Sequence, residues 1–120
     1  MAENASPLIG LVGPCKSGKT TLKRLLEKEG FNVRHIAQEH SYVPEMWKKI
    51  AKPDTLIFLE ASYETTLARS SLGWHRPEYD EQIRRLQHAR QHADLIIDTD
   101  PLTPEQIAEK SIEYLEQREG

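Results

Sequence analysis

The sequence predicts an α/β domain built as a three-layer sandwich, in which helices cover both faces of a mainly parallel sheet of about four strands. The chain has 120 residues, the usual size of one domain. Short apolar runs alternate with segments whose apolar residues recur at helical spacing, and Gly or Pro separates them. Strands separated by helices pair in parallel through right-handed crossovers. We therefore expect one domain over residues 1–120.

The first half of the chain predicts a strand, a helix, a strand and a short helix, in that order. Residues 8–12 form a continuous apolar run bounded by turn residues, which is typical of a buried strand. Residues 19–29 carry leucines at helical spacing and end at Gly30, a common helix stop. Residues 31–36 alternate imperfectly, which favours a strand near the sheet edge. Pro44 then offers the first position of a short helix.

The middle of the chain predicts a central strand, a helix and a loop. Residues 55–59 are apolar and rich in strand-favouring residues. Ser62 is a suitable N-cap for the helix that follows, and we expect Leu67 and Ala68 to face the core. Residues 70–77 contain glycine and proline and are expected to form a loop.

The last third predicts a helix, a strand and a final helix. A long helix is expected over residues 78–92, because its apolar positions share one face. Residues 95–97 form the last apolar run. Thr103, Pro104 and Gln106 then form a capping-box pattern at the start of the final helix.

Composition excludes several classes of function. The chain has 16 Lys and Arg against 19 Asp and Glu, a net charge of −3, without a long block of one sign. That balance argues against nucleic acid as a partner. No apolar run approaches the roughly 20 residues that cross a bilayer, so we expect no membrane partner and a cytoplasmic protein. The modest apolar content leaves burial against a second copy of the chain, as a homo-oligomer, open.

Cysteine and histidine usage argues against a cysteine-based metal cluster. Cys15 is the single cysteine, so no intrachain disulfide can form. His88 and His92 lie four residues apart, but no third ligand lies near them in the sequence.

A phosphate-binding pattern follows the first predicted strand and opens the first helix. Residues 13–20 read Gly-Pro-Cys-Lys-Ser-Gly-Lys-Thr and match G-x-x-x-x-G-K-[ST]. Gly13 and Gly18 let the backbone approach phosphate closely, so that successive N–H groups can point inward. The helix start adds partial positive charge. Lys19, expected near the loop surface, would reach the β- and γ-phosphates, and Thr20 would ligate Mg²⁺. The predicted nucleotide-binding residues are Gly13, Pro14, Cys15, Lys16, Ser17, Gly18, Lys19, Thr20 and Thr21.

This motif resembles that of the P-loop NTPase superfamily, and three segments are similar to its adenylate and nucleoside kinase-like branch. The segments are residues 7–30, 53–69 and 94–115. The resemblance implies a P-loop NTPase fold, ATP and Mg²⁺ as ligands, and Arg69 at the start of a mobile lid over residues 70–77. It also implies that the segment after the last strand, Asp100 to Thr103, lies against the adenine base.

The chain departs from the branch in two places. Only 22 residues, Phe31 to Lys52, separate the first helix from the central strand, which leaves no room for an acceptor-binding domain of ordinary size. Lys16 stands where many members have a third glycine. The resemblance therefore indicates a minimal form of the branch.

Two carboxylates are candidates for the Mg²⁺ side of the site. Glu60 ends the central strand, and ligands of parallel sheets bind at the carboxyl ends of strands, so Glu60 is favoured. Glu39 follows the other candidate neighbour of the first strand and is the alternative. The strand order decides between them.

Several cations and aromatic residues could complete the site. A transferring phosphoryl group spreads charge over three oxygens, and Arg69 is the favoured residue to stabilise it, with Arg76 as a second candidate. Arg84 and Arg85 follow on the same predicted helix. Trp74 could stack on the base, and His40 could act as a base toward an acceptor; these are further hypotheses.

These observations predict an Mg²⁺-dependent, ATP-binding P-loop protein, a small kinase-like phosphotransferase with weak ATPase activity. Its catalytic residues would be Lys19, Arg69 and Glu60, with Thr20 and Glu60 at the metal and an unidentified small acceptor. A plain ATPase is the first alternative. A nucleotide-binding regulatory or assembly module without useful turnover is the second, because the acceptor domain is missing.

Overall fold

The computed structural model describes residues 7–70 and 73–119 of the chain. The strands are β1 (Leu8–Val12), β2 (Asn32–His35), β3 (Thr55–Glu60) and β4 (Leu95–Asp98). The helices are α1 (Lys19–Lys28), α2 (Met46–Ile50), α3 (Tyr63–Arg69), α4 (Arg76–Arg85), α5 (Gln87–His92) and α6 (Pro104–Glu119). A 3-10 helix covers Gln38–His40.

The four strands form one parallel sheet in the order β2-β1-β3-β4. Leu11 of β1 lies opposite His35 on one side and Ile57 on the other. The predicted α/β class and parallel sheet are confirmed. Because β1 is flanked by β2 and β3, both Glu39 and Glu60 follow or end a strand that neighbours it.

Two apolar cores lie on the two faces of the sheet, which confirms the three-layer arrangement. One core joins Ile9 and Leu11 of β1 to Leu22 and Leu26 of α1 and to apolar residues of α6. The other joins Val12 and Phe58 to Trp47 of α2, and to Leu86 and Ala89. At roughly 25 cal/mol per Å² of apolar surface, the burial on both faces is the main stabilising contribution to the fold.

Two predicted helix caps are present. The Ser62 hydroxyl accepts the Thr65 N–H at 3.1 Å at the start of α3. At the start of α6 the Gln106 N–H donates to the Thr103 hydroxyl, and the Thr103 N–H donates to the Gln106 side chain. Each pattern satisfies backbone donors that the first turn of a helix leaves unpaired.

Two predictions about helix detail were wrong. Leu67 and Ala68 are exposed, and Thr66 is the residue of α3 that is buried, with its hydroxyl bonded to the Tyr63 carbonyl. The single helix expected over residues 78–92 is two helices that meet at Leu86, whose N–H is shared between the carbonyls of Gln82 and Ile83. That break lets α5 follow the sheet face while α4 packs against the 3-10 helix.

The candidate lid, residues 70–77, is described only in part. Residues 71 and 72 lie outside the described residues, residues 73–75 form a loop, and α4 begins at Arg76. Among residues 7–70 and 73–119, no helix combines the length and the apolar character that crossing a membrane requires.

Candidate functional site

The loop between β1 and α1 depends on glycine at its first position. A Cβ atom on Gly13 would lie 2.5 Å from the Leu59 carbonyl oxygen and 2.8 Å from the Ser17 hydroxyl. The loop therefore packs directly on the backbone of β3. Gly18, at the N-cap of α1, has φ +105° and gives the chain its turn into the helix.

Lys16 adopts a left-handed backbone conformation, with φ +66°. A non-glycine residue there costs roughly 1–2 kcal/mol. The carbonyl oxygen of Lys16 accepts a hydrogen bond from Arg69 Nη1 at 2.9 Å. The position at which the chain departs from the resembling kinases is thus one where glycine would be unstrained.

The Lys19 ammonium is enclosed by the loop. Its Nζ donates to the carbonyl oxygens of Gly13 and Pro14 at 2.6 and 2.9 Å, and lies 3.2 Å from Glu39 Oε2. The residue is 4% exposed, so the expectation that Lys19 lies near the loop surface was wrong. Burial lowers the pKa of Lys19 below its usual range, although the Glu39 carboxylate acts to raise it.

Two loop amides are already paired within the protein. The Cys15 N–H donates to Gln82 Oε1 at 2.9 Å, and the Ser17 N–H donates to the Pro14 carbonyl at 3.1 Å. The Gln82 amide also donates to Cys15 Sγ at 3.2 Å. Gln82, on α4, therefore fixes the tip of the loop. Sequence reasoning missed Gln82, because a glutamine on a predicted polar helix carries no signal of such a contact.

Glu39 is brought to the phosphate-binding loop by the 3-10 helix that follows β2. It is 3% exposed, and its Oε2 contacts Lys19. Its other oxygen, Oε1, is buried and has no hydrogen-bond partner among the residues that the structure describes. A buried carboxylate oxygen without a donor is costly, and a metal ion or a metal-bound water would satisfy it.

Glu60 lies at the carboxyl end of β3, as predicted, but its carboxylate is held elsewhere. Arg90 of α5 donates from Nε to Glu60 Oε2 at 2.6 Å. The pair lines a separate cavity with Asp98 and Asp100, on the side of the sheet that α4 and α5 cover. The structure therefore brings Glu39, and not Glu60, to Lys19.

Of the four candidate arginines, Arg69 alone lines the cleft beside the loop. Arg76 pairs with Asp80 at 3.1 Å on the exposed surface of α4. Arg84 and Arg85 both pair with Glu81 on the same helix. These are ordinary helix-surface pairs three or four residues apart.

Of the two other candidate residues, His40 lies in the cleft and Trp74 lies away from it. His40 lies in the cleft, with Nε2 3.8 Å from Glu39 Oε2. Trp74 packs edge-on against Tyr79, and its indole N–H donates to the Thr66 hydroxyl. Trp74 is thus held against α3 and α4 by partners of its own.

The cleft gathers most of the predicted phosphate and metal residues around one open space. Its walls come from the loop, the start of α1, the end of β2 and the last residue of α3. Thr20 presents an exposed hydroxyl in the first turn of α1. A threonine hydroxyl and a carboxylate oxygen are ligands or water partners that Mg²⁺ accepts, so these residues fit that ion. The cleft wall consists of Cys15, Lys16, Gly18, Lys19, Thr20, Thr21, His35, Ala37, Glu39, His40 and Arg69.

A smaller apolar hollow adjoins the other side of the loop. Ser17, Gly18 and Thr21 face Leu102 and Pro104 across it, with Arg69 at its rim. This hollow includes part of the segment after the last strand that the resemblance assigned to the base.

Comparison with protein families matches residues 9–99 to the family described as AAA domain. The match covers more than half of the chain and includes the loop, the sheet and both candidate carboxylates. None of the curated proteins compared with the chain matches it. The sheet and the glycine-bounded loop agree with the family assignment. The chain belongs to the AAA domain family, within the P-loop NTPase superfamily, and is a nucleotide-binding P-loop protein.

Proposed function

We propose that this protein is an Mg²⁺-dependent, ATP-binding phosphotransferase of small size, similar to the adenylate and nucleoside kinase-like branch. One observation carries the proposal: Lys19, Thr20, Glu39 and Arg69 line the same open cleft at the carboxyl ends of β1 and β2. Two cations, an exposed hydroxyl and an unpaired carboxylate oxygen are the groups that hold a metal-bound triphosphate.

Lys19 supplies the cation for the β- and γ-phosphates. In the structure its ammonium is paired with two carbonyl oxygens and one carboxylate oxygen. Phosphate oxygens can replace these partners one for one, so Lys19 exchanges contacts without losing hydrogen bonds. Charge-assisted bonds to phosphate are stronger than bonds to neutral carbonyls, which favours the exchange.

Thr20 and Glu39 are the residues that would hold Mg²⁺. When bound, Mg²⁺ would neutralise negative charge on the phosphates. Thr20 would offer a direct oxygen ligand, and Glu39 Oε1, which is buried and has no partner among the described residues, would accept a hydrogen bond from a water bound to the ion. The proposal thus assigns to Glu39 the role that sequence reasoning gave first to Glu60.

Arg69 stabilises the charge that develops on the transferring phosphoryl group. Its Nη1 is anchored on the Lys16 carbonyl, which fixes the guanidinium at the rim of the loop. An arginine that stabilises the charge of the transferring phosphoryl group can contribute a factor of about 10³–10⁵ in rate. The anchoring carbonyl is backbone, so Arg69 keeps several donors for phosphate.

The apolar hollow between the loop and the start of α6 would hold the base. Leu102 and Pro104 offer an apolar wall, and no Asn-Lys-x-Asp sequence that would read guanine is present in the chain. We therefore assign ATP as the nucleotide. An acceptor would approach from the wall formed by His35, Ala37 and His40, where the short segment after β2 leaves the cleft open.

Turnover assays distinguish the three candidate functions of this site. Purified protein with Mg²⁺ and γ-labelled ATP is screened against a panel of small hydroxyl, carboxylate and phosphate acceptors. Transfer of label to one acceptor supports the phosphotransferase. Phosphate release that no acceptor increases supports a plain ATPase, and tight ATP binding with neither product supports a regulatory or assembly module.

A further inference from the structure

A group of three side chains at the edge of the phosphate-binding loop has the composition of a transition-metal site. Cys15 Sγ, His40 Nε2 and a carboxylate oxygen of Glu39 all lie within 4.8 Å of one another. A thiol, an imidazole and a carboxylate are the three protein ligands that Zn²⁺ takes most often. Mg²⁺ prefers oxygen ligands alone, so this group differs in chemistry from the site proposed above.

The sulfur and nitrogen atoms of the group already have the spacing of two ligands of a tetrahedral ion. With the usual zinc bonds to sulfur and nitrogen, those two atoms stand about 3.6 Å apart across a tetrahedral edge. Cys15 Sγ and His40 Nε2 are 3.5 Å apart. A nitrogen and a carboxylate oxygen stand about 3.3 Å apart in the same geometry. His40 Nε2 and Glu39 Oε2 are 3.8 Å apart. Because Oε2 also contacts Lys19, a metal on Oε1 requires the Glu39 carboxylate to turn within this group.

The unpartnered oxygen of Glu39 is an independent observation that points to a cation as ligand. Oε2 is taken by Lys19, whereas Oε1 is buried without a hydrogen-bond donor among the described residues. A carboxylate can bridge an ammonium on one oxygen and a metal on the other, which would leave the Lys19 contact in place. The metal would thereby satisfy a buried acceptor; among the described residues, Ser17 Oγ is the other buried side-chain oxygen without a partner.

The surroundings favour a bound ion that exchanges with solvent. The Gln82 amide donates to Cys15 Sγ at 3.2 Å, a contact that orients the sulfur and stabilises a metal-bound thiolate. The His40 side chain is 59% exposed, so an ion reaches the group from the cleft. Three protein ligands leave a fourth tetrahedral position for water or another oxygen.

We propose that Cys15, Glu39 and His40 bind a Zn²⁺ ion in the nucleotide-free protein. The inference goes beyond the proposed phosphotransferase activity and requires no turnover. Cys15, Glu39 and His40 all line the cleft of the proposed function, but zinc binding can be measured without ATP.

His88 and His92 provide the matched control, because they form a close histidine pair that does not belong to this group. Their rings stack with centroids 4.3 Å apart. His88 Nδ1 accepts the Trp47 indole N–H at 3.1 Å, and His88 Nε2 lies 3.5 Å from Glu45 Oε2. Because His88 has both ring nitrogens engaged, His92→Gln should not change zinc binding.

Zinc binding is tested by equilibrium dialysis of tag-free protein against buffered Zn²⁺, with Cys15→Ser, His40→Gln and His92→Gln as variants. We expect one zinc per chain, an affinity at least tenfold weaker in Cys15→Ser and His40→Gln, and an unchanged affinity in His92→Gln. Substitution by Co²⁺ should give a thiolate-to-metal absorption band that Cys15→Ser abolishes. Circular dichroism confirms that each variant is folded.

Three results would overturn the zinc site: no stoichiometric zinc, affinity that survives in both Cys15→Ser and His40→Gln, or affinity lost in His92→Gln instead. Binding of Mg²⁺ with ATP is measured on the same preparations. If the protein binds ATP normally but binds no stoichiometric zinc, this inference alone is overturned. If it binds zinc but does not bind ATP, the proposed function alone is overturned.

Discussion

The role of Glu39 gives the sharpest test of the site, through the Glu39→Gln substitution. Gln keeps the shape of the side chain and an oxygen that can accept from Lys19, but it removes the negative charge. Glu39 and Lys19 side chains are each 4% exposed, so their pairing is a buried one. Removing one partner of a buried pair costs roughly 3–5 kcal/mol, and because one hydrogen bond is kept we expect about 3 kcal/mol. A stability of roughly 5–15 kcal/mol is usual for a domain, so the variant should remain folded.

Glu60→Gln is the matched control, because it removes the same charge from the other candidate carboxylate. The Glu60 and Arg90 side chains are 36% and 44% exposed, and such exposed pairs contribute about 0–1 kcal/mol. The free energy of unfolding, measured by urea denaturation, should therefore be lower in Glu39→Gln than in Glu60→Gln by about 2 kcal/mol or more.

The functional readout is the Mg²⁺ concentration that gives half-maximal ATP turnover. Loss of a residue that orients a metal's ligands costs about 10–100-fold in affinity or activity, so Glu39→Gln should raise that concentration by such a factor. Glu60→Gln should leave it within twofold. A raised Mg²⁺ requirement in Glu60→Gln, together with a normal one in Glu39→Gln, would refute the assignment and return the metal to the end of β3.

Three further predictions concern the loop, the arginine at its rim and the buried lysine. Gly13→Ala places a Cβ 2.5 Å from a backbone carbonyl oxygen and should lower the free energy of unfolding, measured by urea denaturation, by about 3 kcal/mol. Gly73→Ala is the control, because Gly73 has φ +68° but no atom within 4 Å of the added Cβ, and it should lower the free energy of unfolding by about 1–2 kcal/mol. An equal loss of stability in the two variants would contradict the close packing of the loop. Arg69→Ala should lower single-turnover phosphoryl transfer about 10³-fold, whereas Arg76→Ala should change it less than twofold; similar losses in both would remove Arg69 from the site. The pKa of Lys19 is lowered in the folded protein, so the unfolded chain binds more protons between that lowered pKa and the usual 10.5. The free energy of unfolding of the wild type, relative to Lys19→Met, should therefore rise with pH across that interval, and a flat or falling difference would contradict the buried ammonium.

The strands and the phosphate-binding loop could be predicted because their signals are local. Residues 8–12 and 55–59 are continuous apolar runs, and they form the two inner strands of the sheet. The loop motif lies between a strand and a helix, as its chemistry requires. The helix caps at Ser62 and Thr103 depend on groups within three residues of each other, so they too could be predicted from the sequence.

The choice of carboxylate could not be predicted because it depends on contacts between distant segments. Strand order puts both β2 and β3 beside β1, so it alone leaves Glu39 and Glu60 equivalent. What separates them is Arg90, thirty residues beyond Glu60, which binds the Glu60 carboxylate. The same reason explains the error at Leu67, since helical spacing does not show that α3 buries Thr66 instead.

The enclosure of Lys19 has a consequence for how the domain is assembled. Two backbone carbonyls and a carboxylate surround the ammonium much as three oxygens of a polyphosphate would. The lysine thus ties three segments of the chain together from within, because its one ammonium joins the end of β1, the loop and the 3-10 helix that carries Glu39.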